Sequence, residues 1–304
     1  MLLTEHGSQI QTAIPTSELL LMEDLRVGYL DRDEDIRGAV ERIKAGDIVA
    51  AQMRGVFGIW ANAEDQEAID RILTIKGEPD PNKKFSSMMF ATDFLTYVDI
   101  SLTHQDIRHL FKDAGIFGKR FGAVCHVRAP VEKDKISEIP LPLVSQVDDI
   151  NYMHNIDPFG RDGMNRFIGG LNIAGLKFIG VTSLNDHAIG EVEITDYQRA
   201  VEFCLEKRIS SLLVNRANQA DSEVSRPRGI GSFAIIDLKD LTAMRDGHIP
   251  VQIIERLIGV KLDNSNMQPH RHSQLDFTTF LEIDLDPEEL RLKVISYVDE
   301  EEFT

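Results

Sequence analysis

Cysteine is nearly missing. Cys125 and Cys204 are the two among 304 residues, too few for a disulfide framework. Tryptophan occurs once, as Trp60, and aromatic residues make up 7% of the chain. Basic residues are the minority, 33 against 50 acidic ones, for a net charge of −17. A surface that grips nucleic acid by general phosphate neutralisation is therefore not expected. No apolar run reaches the roughly 18 residues that a membrane span needs. The opening stretch MLLTEHGSQIQ has no basic lead into a long apolar core, so it does not read as a signal peptide. These absences together point to a cytoplasmic chain without membrane attachment.

What is there is an ordinary core. The chain is 42% hydrophobic, enough aliphatic surface to offset the entropy of ordering. Residues 1–33 are irregular and polar apart from Leu19–Met22, and read as an N-terminal extension. DEDIRGAVERIK puts Ile36, Val40 and Ile43 on one helix face, and Gly46 follows where a left-handed cap is wanted. Ile48–Ala51 reads as a strand running into a loop that holds Gly55 and Gly58. Asn62 is the expected N-cap of a helix through Lys76, ended by Gly77 and Pro79. LTHQDIRHLFKDAG reads as a helix stopped by Gly115. Further on, LKFIGVTS, SSLLVN and GSFAIIDL read as strands, and Thr195 with Gln198 as the capping box of a helix over TDYQRAVEFCLEKR. Helices and strands interleave, so an α/β domain over 34–260 is expected.

The remainder, 261–304, reads as an acidic C-terminal extension. Its last part, 276–304, holds ten acids against Arg291 and Lys293, a net −8. Its alternation suggests edge strands. The main domain is therefore closer to neutral than the whole chain, which leaves room for a local anion site.

Several familiar motifs are absent. There is no G-x-G-x-x-G, and GIFGK lacks the spacing and hydroxyl of a P-loop. Cys125 and His126 are adjacent on a strand, so their side chains point to opposite faces and a nucleophile pair is not expected. Pro269-His270-Arg271-His272 reads either as a solvated tail or as metal ligands, and no metal site is assigned. Trp60 and Cys204 read as core.

Information lies in segments where a strand runs into a turn, the place where α/β sheets hold ligands. These are QMRGVFG (52–58), IKGEPDPNKKF (75–85), VTSLNDHAIGE (181–191), RPRGIGSFAIIDL (226–238) and AMRDGHI (243–249). In this order and spacing they resemble the YrdC/Sua5 family, the threonylcarbamoyl-adenylate synthases. The pattern P-T-D/E-T-x-Y-G-L falls on Gln52–Ile59, and K-G-R-P on Lys76–Pro79. T-S-A-N-x-S-G falls on Thr182–Asn185 and reaches Gly190 after a longer loop. G-x-x-S-T-V-V-D falls on Gly229–Asp237, and R-x-G-x-I on Arg245–Ile249. The likeness covers about 35–260.

That resemblance implies a YrdC-like twisted mixed sheet with helices around a central, positively lined cavity. It implies joining of L-threonine, bicarbonate and ATP, with Mg²⁺, into threonylcarbamoyl-adenylate for tRNA modification. It places Lys76 in the chemistry and Ser183, Asn185, Ser232 and Arg245 on the nucleotide. Each also has a reading without a ligand: Lys76 suits a helix C-terminus, and Ser183 with Asn185 could cap a loop.

The sequence also departs from the pattern. The first motif has lost both hydroxyls, with Met53 and Gly55 in their places, and Arg54 stands where it has an acid. Glu78 stands where an arginine is expected, and Asn155 where another is. The substrate pocket would thus be altered at Arg54, Gly55 and Glu78, with Arg54 either pairing with Glu78 or replacing the lost cation. Glu78 by itself reads as a solvated loop acid. The expected function is nucleotide (ATP or AMP) binding, with synthase chemistry on an altered amino acid. The alternative is a non-catalytic module binding nucleotide or double-stranded RNA, the RNA only weakly.

Overall fold

The computed structural model describes residues 25–53, 56–160, 162–215, 231–272 and 275–303. Strands are Arg26–Tyr29 (β1), Val49–Met53 (β2), Val56–Asn62 (β3), Ser86–Met88 (β4), Cys125–Pro130 (β5), Val144–Val147 (β6), Ile150–Ile156 (β7), Ile179–Ser183 (β8), Ser211–Val214 (β9), Ala234–Asp237 (β10) and Thr242–Arg245 (β11). Helices are Asp33–Lys44 (α1), Gln66–Lys76 (α2), Ala91–Phe94 (α3), Ala114–Phe121 (α4), Asp162–Ile173 (α5), Tyr197–Glu206 (α6), Val251–Ile258 (α7), Thr278–Glu282 (α8) and Pro287–Phe303 (α9).

The strands form one mixed sheet in the order β1-β9-β2-β3-β8-β4-β7-β5-β10-β11, with β6 paired to β7. Both faces are covered, which is why the central strands are apolar runs instead of alternating ones. Ile48, Ala50, Phe57 and Ile59 enter one core, while Val49, Ala51 and Trp60 enter another with Phe167 of α5. Trp60 is fully buried, its ring centroid 5.4 Å from that of Phe167. No described helix is long and apolar enough to cross a membrane.

Register sets up the site. His126 of β5 lies opposite Ile235 of β10, which lies opposite Arg245 of β11. His154 of β7 lies opposite Arg128 of β5, and Ser86 of β4 opposite Val181 of β8. Directly opposed residues share a face, so these strands present one polar wall.

The structure corrects the sequence reading at several elements. Within the segment read as an extension, β1 pairs in parallel with β9, and Asp35 accepts from Tyr29 N and Arg26. Four residues with a glycine are too short a pattern to read. Gly58 is inside β3, not in a loop; a Cβ there would lie 3.2 Å from the Thr182 carbonyl oxygen of β8. Glycine answers that close approach.

Capping also shifts. Asp65 caps α2 by accepting from Ala68 N, and Asn62 holds Glu64 N instead. Asp196, not Thr195, caps α6. The helix expected to stop at Gly115 is a 3₁₀ stretch, Gln105–Lys112, and Asp113 then caps α4, which contains Gly115.

The largest correction is 276–304, which holds helices α8 and α9 and no strand among its described residues. Leu290, Val294 and Val298 recur every four residues and are buried in the same core as Phe277, against α7 and α4. Arg291 donates to the carbonyls of Gly122 and Phe159.

Candidate functional site

A cavity of about 270 Å³ opens on the polar wall. Met53 and Val56, flanking the β2–β3 turn, give it an apolar edge with Ile156 and Phe233. The polar lining comes from Ser86, His126, His154, Ser183, Ser232 and Arg245, with Lys83 and Lys84 at the mouth. Both lysines are exposed, and Lys84 donates to the Leu141 carbonyl across 3.0 Å.

Glu193 is the one carboxylate among the described lining residues. Its Oε1 lies 3.5 Å from Arg245 Nη1 and accepts from Ser232 Oγ at 3.4 Å. Its Oε2 faces His272 Nε2 at 3.5 Å, an ion-pair distance and not a formed hydrogen bond. His272 first, and then the Arg245 charge, hold the Glu193 carboxyl down at about 2 against its burial. Arg245 is fixed by a second donation, Nη2 to the Phe233 carbonyl at 2.9 Å. The lining is thus cationic inside an acidic chain: the acid is neutralised where it stands, and the lysines are not.

Lys76 is 1% exposed and lies behind the wall. Its Nζ donates to the Ser183 carbonyl at 2.5 Å, to the Asn185 carbonyl at 3.4 Å and to Asn185 Oδ1. Burial, and then Lys83, pull its amine down to about 7. Asn185, also buried, accepts from Ser183 Oγ at 3.0 Å and donates to the Glu191 carbonyl at 3.0 Å. These two residues hold the β8 turn in shape.

The structure therefore gathers Ser183, Ser232 and Arg245 on the cavity and sets Lys76 and Asn185 one layer back. Glu78 does not line it. Instead of standing solvated, its Oε2 meets His187 Nδ1 at 2.7 Å. Arg54 and Gly55 lie outside the described residues, as does the start of the fourth motif. Asn155, read as a lost arginine, is fully buried on the opposite face, where it accepts from Met89 N and Ser87 Oγ. Its neighbours His154 and Ile156 point to the cavity.

Sequence reasoning missed His126, His154, Ser86 and Glu193. A signal existed for the histidines: His126 and Arg128 fall two apart on one strand, and Tyr152 and His154 two apart on the next, polar positions on a face that should be packed. Glu193 lies in a connection without a pattern, and nothing local marks it.

Comparison with known proteins bears on the fold. The Sua5/YciO/YrdC family model, described as telomere recombination, matches residues 41–111. Threonylcarbamoyl-AMP synthases from two strains of Vibrio vulnificus are 31% identical over 81 residues, which is 25% of this chain and 42% of theirs. The match thus spans less than half the length of those relatives. Among solved structures, a variant of P. abyssi Sua5 superposes with a TM-score of 0.56 at 20% identity, covering 79% of this chain and 65% of that one. P. abyssi Sua5 complexed with L-threonine gives 0.54 at 20%, covering 82% and 68%. E. coli YciO gives 0.51 at 16%, covering 72% and 92%. These likenesses show the fold.

Proposed function

We propose that the chain is a divergent YrdC/Sua5-like protein whose cavity binds a nucleotide, ATP or AMP. The observation that carries this reading is the convergence of Arg245, Ser183 and Ser232 on one cavity whose only described carboxylate is already paired. Guanidinium and hydroxyl groups fixed on strand ends are what a phosphate or ribose needs. The enclosed volume, about 270 Å³, is just under the roughly 300–1,000 Å³ of ordinary ligand sites. It takes one end of a nucleotide, with the rest at the mouth beside Lys83 and Lys84.

If the protein is a synthase, the reaction it supports is adenylation. The amino-acid amine adds to bicarbonate with loss of water to give a carbamate, whose oxygen attacks the α-phosphorus of ATP while the bond to pyrophosphate breaks. Preorganised cations offset the charge that grows on the leaving group. Arg245 and the mouth lysines are placed for that task. Mg²⁺ fits here only as an ion carried on the triphosphate. The described residues contain no group of three or more metal-ligating side chains, and Mg²⁺ is commonly held through phosphate oxygens and water. The apolar edge of Met53 and Val56 supports an altered amino-acid half: the Sua5 relative binds L-threonine, whose hydroxyl would find no partner on these side chains.

The test is thermal unfolding with AMP or ATP·Mg²⁺. A ligand at a hundred times its Kd adds about 2.7 kcal/mol. We expect a rise in Tm for the wild type and none for Arg245→Gln, with pyrophosphate release tested across an amino-acid panel to read the synthase step. A wild type indifferent to both nucleotides would overturn the reading.

A further inference from the structure

The wall formed by β5 and β7 carries two histidines that nucleotide binding through Arg245 does not use. His126 Nε2 lies 3.2 Å from His154 Nδ1 and 3.1 Å from Ser86 Oγ. The rings meet edge to face with centroids 5.0 Å apart, and all three residues line the cavity. In the neutral pair the single lone pair of His126 Nε2 accepts from either His154 Nδ1–H or Ser86 O–H, and with the proton of His154 on Nδ1 its Nε2 is able to take a second one.

Charged groups approach this pair from several elements. Arg245 comes from β11, Lys83 and Lys84 from the segment before β4, and Arg128 from β5. Arg128 is ion-paired with Asp237 and lies over the Tyr152 ring, 3.5 Å from its centroid. Glu193 lies on the same lining but is held between Arg245 and His272. Lys76 is behind Ser183. Among the described residues, no uncommitted carboxylate lines this cavity to balance a charged imidazole. A proton on either ring is therefore costly while the cavity holds no anion. Burial accordingly holds His154 down to about 4 and His126 well below the ordinary histidine range.

We propose that His126, His154 and Ser86 form a protonatable subsite for a tetrahedral oxyanion, and that filling it draws one proton onto the histidine pair. The anion would supply the missing counter-charge and accept from the protonated imidazole, a charge-assisted bond. Identifying it with a phosphate group of the cavity's ligand rests on the nucleotide reading; the anion chemistry itself does not. In use, the subsite makes phosphate binding tighter as the medium becomes more acidic.

Sulfate is the first probe, because it stays a dianion through the histidine range and any pH slope then belongs to the protein. Calorimetry should show sulfate binding strengthening by up to about tenfold per pH unit as pH falls towards 5, the slope of one linked proton. H154Q should lose that slope; Lys76 is present in both proteins and so cannot account for the difference. Histidine NMR signals of the wild type provide a measurement that needs no variant: sulfate should raise the titration midpoint of His154. An unmoved midpoint, or an equal slope in H154Q, overturns the proposal. AMP is the second probe and separates the two readings. AMP that binds without perturbing either histidine leaves the nucleotide reading standing and removes this subsite. Sulfate that shifts His154 while AMP fails to bind does the reverse.

Discussion

Lys76 Nζ donates to the Ser183 carbonyl across 2.5 Å, so the amine that the family resemblance places in the chemistry is committed to the back of the cavity wall. Its folded-state value of about 7 stands below the ordinary 10.5. Between those two the unfolded chain holds a proton that the folded one does not, so this group makes stability rise with pH across that window. Lys76→Met leaves two buried carbonyls short of a donor and should cost about 1–3 kcal/mol. Urea unfolding at pH 7 and pH 9.5 should show the gap between wild type and variant widening at the higher pH.

Glu193 gives a dependence of the same sign in an acid window. Its carboxyl is held at about 2 against an ordinary 4.5. Its contribution is complete above the ordinary value and is lost as pH falls towards 2. Glu193→Gln should flatten acid unfolding over that range. It also leaves Arg245 without its acid, so AMP and sulfate should bind several-fold more tightly at pH 7.5, measured by calorimetry.

Gly77 ends α2 in the left-handed region at φ 58°, and a Cβ there would lie 2.7 Å from Ala188 Cβ. Gly190 has φ 71° and open space around it. Gly190→Ala should therefore cost only the conformational penalty of about 1–2 kcal/mol. Gly77→Ala should cost more, because it also displaces the loop that carries Asn185. Urea midpoints of the two variants give the comparison directly.

Helix α9 predicts a further contrast. Leu290 is 1% exposed, in the core shared with α7, so Leu290→Ala should cost about 2–5 kcal/mol. Glu282→Gln removes an exposed acid and should change stability by no more than about 0.5 kcal/mol. Equal, small effects from both would mean that the acidic segment is an appendage after all.

Much of the fold was legible because long periodic segments leave few choices. Ile36, Val40 and Ile43 fix α1, and the end of α7 is marked by Gly259 at φ 77°. The mistakes arose where local pattern and tertiary packing diverge. Alternation in 276–304 suggested strands, yet the spacing of Leu290, Val294 and Val298 packs only as a helix. Gly58 looked like a turn residue, but the reason for it is the neighbouring strand β8, whose Thr182 is more than a hundred places further along the chain and invisible locally. Cavity-lining residues were legible where a motif carried them, as with Ser183, Ser232 and Arg245. The histidines required knowing that β5 and β7 are neighbours, and Glu193 required knowing that its connection crosses the cavity.

Photolabelling with an azido-adenine nucleotide, followed by peptide mapping, tests the central claim most directly. The account predicts saturable labelling that AMP competes away, mapped to peptides holding Lys83–Ser86, Thr182–Ser183 or Ser232–Arg245, and lost in Arg245→Gln. Saturable labelling confined to peptides remote from these strands, and unaffected by Arg245→Gln, would contradict it.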